Sequence, residues 1–285
     1  MKLNVSTDDA AAARIAHRWN LTLSDCVADT PRARVFRATG AQGDCALKLY
    51  RKVGASGEGA ATQFLRALPD GLGVRVYRMN TLRTAVLMEW LDGTPLDVIA
   101  QTDMAQATAL LAQVAHDIGK VQFRRQFAYQ RVAPLLFADF AKAAKRGVPD
   151  DLAAYFNQAR SLLVHLIDTS PPERVIHGDL GFQNVMLTPG GPRAFDPKGW
   201  RADPAVELAL SMIRPFEDLD PDTLSQRIAE RGAVFADATG ASQQRLIQWA
   251  AVSIAQQVLC RSRTDPRDHP LYPVLPSLLA QAAQG

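Results

Sequence analysis

The segment from Glu173 to Trp200 carries three polar residues whose types and spacing suit phosphate chemistry. Asp179 and Asn184 are five residues apart on a short polar loop, and Asp196 ends an apolar run after a turn rich in Pro and Gly. Magnesium ions prefer hard oxygen ligands, such as one or two carboxylates together with an amide oxygen. Phosphoryl transfer needs cations on the phosphate oxygens and an in-line nucleophile rather than covalent help from the protein. The spacing therefore predicts a site for metal-bound phosphate.

Each of these residues alone also fits an ordinary turn, because Asp and Asn are common turn residues. In a phosphate site, Asn184 and Asp196 can hold the metal if they face each other across a hairpin. Asp179 can then orient the attacking hydroxyl or accept its proton. We interpret His177 as a packed residue that braces the loop. The joint pattern HGDxxxxN, followed twelve residues later by Asp, is far more specific than any of its members.

The first third of the chain reads mainly as strands. A helix is expected over residues 7–19, and Gly40 with Gly43 marks a hairpin turn. Apolar runs of strand length occupy residues 34–38, 45–50, 74–77 and 85–90. One helix interrupts them over residues 58–68, with an apolar face at helical spacing.

The turn cluster Asp92–Pro95 is the expected boundary, and the rest of the chain reads mainly as helices. Asp203 followed by Pro204 predicts the start of a further helix. Trp249 is expected in the core, and for Trp200 both core packing and ligand contact stay open. Helical periodicity covers residues 103–122, 135–145, 151–167, 223–238, 242–260 and 271–284. We therefore expect an α+β chain, with a sheet-rich part over 1–91 and a helical part over 92–285.

Composition excludes several classes of protein. The net charge of +3 does not demand nucleic acid or a membrane surface, although the excess of 13 basic over 8 acidic residues in 1–91 would suit an anion such as a nucleotide. Three scattered cysteines without a CxxC motif suggest neither a disulfide framework nor a zinc site. No apolar run approaches the length of a membrane span. We expect a cytoplasmic protein whose oligomeric state the sequence leaves open.

The combined motifs resemble the aminoglycoside phosphotransferase family, relatives of the protein kinases. The DPKG tetrapeptide at Asp196–Gly199 resembles that of the streptomycin and hydroxyurea phosphotransferase branch. The heptapeptide DPAVELA, which begins at Asp203, resembles the family's DPAxDLA, with Glu207 in place of the usual Asp. That replacement leaves the role of the Glu207 side chain open. The resemblance implies a protein-kinase-like, two-lobed fold with a small antiparallel-sheet N-lobe and a larger helical C-lobe.

Family membership would give the polar residues specific roles with ATP and Mg²⁺. The resemblance implies that Asp179 is the catalytic base and that Asn184 and Asp196 are magnesium ligands. Lys48 lies within an apolar run, where an ammonium group needs an anionic partner. The resemblance makes it the lysine on the α- and β-phosphates, paired with Glu58, the only acid on the following helix.

The adenine site rests on the resemblance alone. Residues 88–93 resemble the family's inter-lobe hinge, so the backbone groups of Glu89 and Leu91 would bind the adenine edge. Val35, Ala46 and Met186 would then sandwich the ring.

The acceptor is not specified by the sequence. The loop over residues 28–34 lacks the glycines of a phosphate cover, and Arg32 or Arg34 can either contact phosphates or stay solvated. The acidic run over 217–222 (Glu217, Asp218, Asp220 and Asp222) can line a pocket for a cationic acceptor or form a solvated helix start. We expect a kinase acting on a hydroxyl of an aminoglycoside-like or related acceptor. Alternatives are a housekeeping kinase for an amino alcohol, a sugar or a fructosamine, and a catalytically silent nucleotide-binding protein.

Overall fold

A computed structural model of the chain describes residues 5–51, 58–80, 84–123, 129–217 and 219–284, without the side chains of residues 5–8 and 58. The helices are α1 (Val5–Trp19), α2 (Glu58–Ala67), α3 (Leu96–Ile99), α4 (Met104–Gly119), α5 (Val132–Arg146), α6 (Ala153–Asp168), α7 (Val206–Ala209), α8 (Pro221–Thr239), α9 (Gln243–Ala255) and α10 (Leu275–Ala282). The strands are β1 (Thr22–Asp29), β2 (Ala33–Gly40), β3 (Gly43–Tyr50), β4 (Val76–Met79), β5 (Ala85–Glu89), β6 (Thr94–Pro95), β7 (Gln130–Arg131), β8 (Arg174–Ile176), β9 (Val185–Thr188), β10 (Gly191–Ala194) and β11 (Trp200–Ala202).

In the described chain, the first five strands form one antiparallel sheet in the order β1-β2-β3-β5-β4. Val35 pairs with Lys48, and Arg37 pairs with Ala46. Because side chains alternate between the faces of a strand, Val35, Ala46 and Lys48 lie on the same face of the sheet. The opposite face packs with α1 around a small core that includes Phe36 and Trp19. The sheet thus separates a structural face from a face that carries the predicted nucleotide residues.

A second, larger core lies among the helices. Helix α9 crosses its centre, and from Trp249 to Ala255 all but Ser253 are buried. This core also includes Phe64 and Leu65 of α2, which precede the expected boundary at residue 91. Helix α2 therefore packs on the helical part of the chain as well as beside the sheet.

The predicted α+β architecture is confirmed, with differences at particular elements. Strand β1 was not predicted, because nearly all of its residues are exposed and no alternating apolar pattern marks it. The helix expected after Asp203 is the single turn α7. The helix expected over 242–260 is α-helical only to Ala255 and continues as a π-helix over Gln256–Arg261. In the part of the chain that is described, no helix is long and apolar enough to cross a bilayer.

Candidate active site

His177 follows β8 and is completely buried. Its Nε2 donates a hydrogen bond to the Phe195 carbonyl at 3.0 Å, and its Nδ1 accepts one from the Asp179 amide at 3.3 Å. This pairing requires the neutral ring with its proton on Nε2. Burial lowers the pKa of His177 to about 4, so the ring stays neutral at physiological pH. The predicted bracing role for His177 is confirmed.

Glu207 on α7 holds in place the loop over residues 177–184, called the catalytic loop below because the sequence predicts Asp179 as the base. One carboxylate oxygen accepts the His177 amide at 2.7 Å, and the other accepts the Gly178 amide at 3.0 Å. Only 7% of the residue is exposed, and burial raises the pKa of the carboxyl to about 7 although the two amide bonds act in the opposite direction. The side chain whose role the sequence left open is therefore a backbone anchor.

Asp203 fixes the position of α7. Its Oδ1 accepts the Ala205 amide at 2.9 Å, and its Oδ2 accepts Arg245 Nε at 2.6 Å and Trp249 Nε1 at 3.0 Å. A buried carboxylate needs such partners, since an unpaired buried charge is costly. The predicted core position of Trp249 is confirmed, and its indole also serves this carboxylate.

The polar residues Asp179 and Asn184 of the HGDxxxxN motif and Asp196 of the DPKG motif converge at the hairpin β9–β10. Asn184 Nδ2 donates to the Asp179 carbonyl at 2.8 Å, which leaves the amide oxygen of Asn184 available as an acceptor. The Phe195 amide donates to the Asn184 carbonyl at 3.0 Å, so Asn184, just before β9, and Asp196, just after β10, lie together at the open end of the hairpin. The geometry brings together the two residues that the sequence predicts as metal ligands.

Lys48 reaches across from β3 to this hairpin. Its Nζ lies 2.5 Å from Asp196 Oδ1. Burial raises the pKa of the Asp196 carboxyl, but Lys48 and Lys198 outweigh burial and hold it below its usual value, so the carboxylate is ionised at neutral pH. The predicted partner was Glu58, whose side chain lies outside the described residues. Among the described side chains, the carboxylate that pairs with Lys48 is Asp196.

The DPKG turn packs between the catalytic loop and α2. The amides of Lys198 and Gly199 both donate to the His177 carbonyl, at 2.8 and 3.1 Å. Gly199 has a φ of +62°, and a Cβ there would lie 2.8 Å from the Ala60 carbonyl. A larger residue would therefore push α2 away from the loop. Trp200 lies against the catalytic loop, since a Cβ on Gly178 would lie 2.9 Å from its ring.

The hinge segment is tied to the hairpin by an ion pair that the sequence did not indicate. Arg193 on β10 contacts both carboxylate oxygens of Glu89, each at 2.7 Å, and also donates to the Gly73 carbonyl at 2.6 Å. The Glu89 amide donates to the Arg75 carbonyl at 2.9 Å. The sequence predicts that backbone groups of Glu89 bind the adenine edge. In the structure the Glu89 amide already has a hydrogen-bond partner within the sheet.

The remaining predicted adenine residues lie near the hinge. Val35 and Ala46 are on the sheet face that carries Lys48, and Met186 lies below the hinge, since a Cβ on Gly93 would be 3.1 Å from its Cγ. Leu91 follows β5 and is half-buried. The structure does not test the predicted contacts of these residues with adenine.

The structure answers two questions that the sequence left open, and for Arg34 it shows neither a phosphate contact nor a solvated side chain. Arg34 is buried and forms ion pairs with Asp9 at 2.5 Å and with Asp29 at 3.4 Å, on the α1 side of the sheet. It is therefore not available for phosphates on the opposite face. Asp220 caps α8 by accepting the Thr223 amide at 2.7 Å, as expected for a helix start, and Asp218 lies outside the described residues.

The fold and the site define a phosphotransferase of the protein-kinase-like type. Residues 29–242 match the model of the phosphotransferase enzyme family, and the chain belongs to this family. It is an enzyme that transfers phosphate to a hydroxyl acceptor. No curated protein matches the chain.

Solved structures share the fold at low sequence identity. A thermostable mutant of aminoglycoside phosphotransferase APH(4)-Ia, solved with AMP-PNP and hygromycin B, is 13% identical, with 96% of this chain and 99% of that chain covered and a TM-score of 0.70. A choline/ethanolamine kinase family protein from Mesorhizobium loti is 15% identical, with 98% and 99% covered and a TM-score of 0.66. Choline kinase from Cryptosporidium parvum is 11% identical, with 96% and 95% covered and a TM-score of 0.64.

Proposed function

We propose that the protein is a Mg²⁺-dependent kinase that transfers the γ-phosphate of ATP to a hydroxyl of a small molecule. The observation that carries this proposal is the convergence of Asp179, Asn184 and Asp196 with Lys48, from three separate segments, at one hairpin. The solved relative with AMP-PNP and hygromycin B supports the use of a nucleotide and a hydroxylated acceptor.

The donor atoms fit magnesium. Asn184 offers an amide oxygen, because its Nδ2 is held by the Asp179 carbonyl, and Asp196 offers an ionised carboxylate. These are the hard oxygen ligands that Mg²⁺ prefers, and the ion keeps several waters besides. Once bound, magnesium would neutralise charge on the transferring phosphate. Lys48 contacts Asp196 and is therefore well placed for the α- and β-phosphates that accompany the ion.

Asp179 is the residue we assign to the acceptor hydroxyl. The His177–Asp179 contact and the Glu207 anchor fix the loop that carries it, so its carboxylate is held ready before the acceptor arrives. A positioned carboxylate accepts the hydroxyl proton as the new oxygen–phosphorus bond forms. In this proposal the adenine ring lies between Val35, Ala46 and Met186, next to the Leu91 backbone.

Two acceptor classes are compatible with the site. An aminoglycoside-like acceptor follows from the DPKG resemblance and from the hygromycin relative. A metabolite kinase is favoured by a different observation, since Lys198 and Arg214 both lie beside the Asp179 carboxylate and would repel a polycationic acceptor.

The test combines nucleotide binding with turnover. Mg-ATP should raise the melting temperature of the purified protein, because a ligand stabilises the state that it binds. Asp179→Asn should lower turnover of any accepted hydroxyl compound about 10²–10⁴-fold, the usual contribution of a general base, while ATP binding persists. Asp168→Asn, on the exposed end of α6, is the matched control. The proposal is wrong if Mg-ATP neither binds nor is turned over with a broad panel of hydroxyl acceptors, or if Asp179→Asn retains full activity.

A further inference from the structure

The carboxylate of Asp179 lies between two cations from different parts of the chain. Lys198 Nζ is 3.3 Å from Oδ2, and Arg214 Nη1 is 3.5 Å from Oδ1. Lys198 belongs to the DPKG turn beside Asp196, which is the phosphate side of the site. Arg214 follows α7, and its guanidinium lies over the catalytic loop, since a Cβ on Gly181 would be 2.9 Å from Nη1. Lys198 and Arg214 therefore lie on two different sides of the Asp179 carboxylate.

The backbone around Arg214 is held in place from α8. Arg227 Nη1 donates to the Ile213 carbonyl at 3.0 Å and also to the Pro215 carbonyl. Arg231 Nη1 donates to the Arg214 carbonyl. Arg231 is 3% exposed and forms no ion pair with the described carboxylates, so its positive charge adds to that of Arg214. Two arginines of α8 thus bind the backbone around Arg214, and this region places positive charge beside Asp179.

The guanidinium of Arg214 retains unused donors. Its described contacts are the 3.5 Å approach to Asp179 and the Phe216 ring, whose centroid is 5.4 Å from its Cζ. A guanidinium carries five N–H donors, and 3.5 Å lies beyond the usual hydrogen-bond range. The side chain is 21% exposed, so much of its hydration is already removed. An arginine in this condition suits a bidentate contact with a carboxylate or a phosphate.

We propose, on the basis of the kinase function above, that the acceptor carries an oxyanion and that Arg214 binds it. The acceptor hydroxyl then lies at Asp179, between the Arg214 contact and the γ-phosphate. Its oxygen forms a bond to Pγ while the bond from Pγ to the bridging β,γ-oxygen breaks. ADP leaves with that electron pair, and the hydroxyl proton passes to Asp179. The acceptor class is a hydroxy acid or a hydroxylated phosphate ester.

Turnover of four small probes tests the charge preference. Glycerol, glycerate, glycerol 3-phosphate and choline are compared at saturating Mg-ATP by ADP release. Glycerate or glycerol 3-phosphate should exceed glycerol at least tenfold in kcat/KM, and whichever is faster identifies the oxyanion as carboxylate or phosphate. Choline should not exceed glycerol. A preference for choline over both anions would overturn the proposal.

Variants of Arg214 test whether this side chain is the cause of the preference for anionic acceptors. Arg214→Gln should lower the ratio of kcat/KM for the anionic probe to that for glycerol at least tenfold, mainly through KM, and Arg214→Lys should lower it less. Arg261→Gln, an exposed arginine paired with Asp139, should leave the ratio unchanged. An equal loss for all probes in Arg214→Gln would indicate a merely structural role and overturn the proposal.

Binding without turnover covers the case in which every probe is too small to react. Malonate should bind the protein saturated with Mg-AMP-PNP in titration calorimetry, and Arg214→Gln should weaken this binding at least tenfold. Equal malonate affinities for the two proteins, or an absence of binding to the wild type, would refute the anion site. Failure of Mg-AMP-PNP itself to bind would instead refute the kinase function, so the two failures are distinguishable.

Discussion

For a substitution of Glu207, the structure predicts both the direction and the size of the change in folding free energy. Glu207→Gln keeps the shape of the side chain but has one acceptor oxygen instead of two. The variant can therefore satisfy only one of the His177 and Gly178 amides. A buried amide without a partner costs about 1–3 kcal/mol of folding free energy.

The difference in stability between the wild type and Glu207→Gln should change with pH. A simple loss of a hydrogen bond would give a difference that does not. Burial raises the pKa of Glu207 from 4.5 to about 7, which corresponds to roughly 3 kcal/mol at about 1.4 kcal/mol per pH unit. The folded state binds this proton more tightly than the unfolded state. Protonation of Glu207 therefore adds to the free energy of unfolding fully below pH 4.5, and this addition is lost as the pH rises through 7. Glutamine has no such proton. The variant should be less stable than the wild type at pH 5 and as stable or more stable at pH 8.5.

The titration of His177 changes the stability of the fold with pH in the direction opposite to that of Glu207. Its pKa is lowered from 6.5 to about 4, so its contribution is present above pH 6.5 and is lost as the pH falls through 4. The two effects oppose each other between pH 4.5 and 6.5 in the wild type. Removal of Glu207 should leave the His177 effect uncompensated, so the variant should lose stability on acidification.

Urea unfolding at pH 5.0 and 8.5 measures the difference. The free energies of unfolding and the m-values of wild type and Glu207→Gln are compared, with the exposed Glu230→Gln on α8 as a matched control. The control should show a small difference that does not change with pH. If the wild type exceeds Glu207→Gln by the same free energy at both pH values, the anchor does not have a raised pKa and the reasoning is refuted.

Three further predictions concern the elements around the site. Gly199→Ala should destabilise the protein by about 1–3 kcal/mol from its positive φ alone, measured by urea unfolding, and an unchanged midpoint would contradict the strain expected at this position. Arg193→Met should destabilise by about 1–3 kcal/mol because Glu89 is left partly buried without its cation, and a double-mutant cycle with Glu89→Gln should show coupling rather than additivity. Trp249→Phe should destabilise by about 1–3 kcal/mol because the Asp203 carboxylate loses an indole donor, and a thermal midpoint equal to that of the wild type would contradict this.

The sequence predicts the part of the site that depends on local geometry. Asp179 and Asn184 are joined by a hydrogen bond that spans five residues, and the hairpin that follows brings Asp196 alongside. Spacing along the chain is enough to define such contacts. The alternating pattern of β2 and β3 likewise indicates which residues share a face with Lys48.

The parts that the sequence does not predict depend on distant segments. Glu207 meets residues about thirty positions earlier, and Arg193 meets Glu89 across 104 positions. No local pattern encodes these pairs, although an acid within the apolar run over residues 205–210 is a usable signal for Glu207. The strand alternation places Arg34 opposite the Lys48 face, but its burial and ion pair depend on α1, which supplies the Asp9 partner from 25 positions earlier.

The packing of α2 joins this helix to the loop that carries Asp179. Phe64 stacks on Phe123 at 5.1 Å and lies edge-on to His177 at 5.7 Å, and the backbone of α2 touches Gly199. The small core of the sheet and α1 is a separate cluster. By its packing, α2 therefore belongs with the catalytic loop and the helical core, although it precedes residue 91 in the chain.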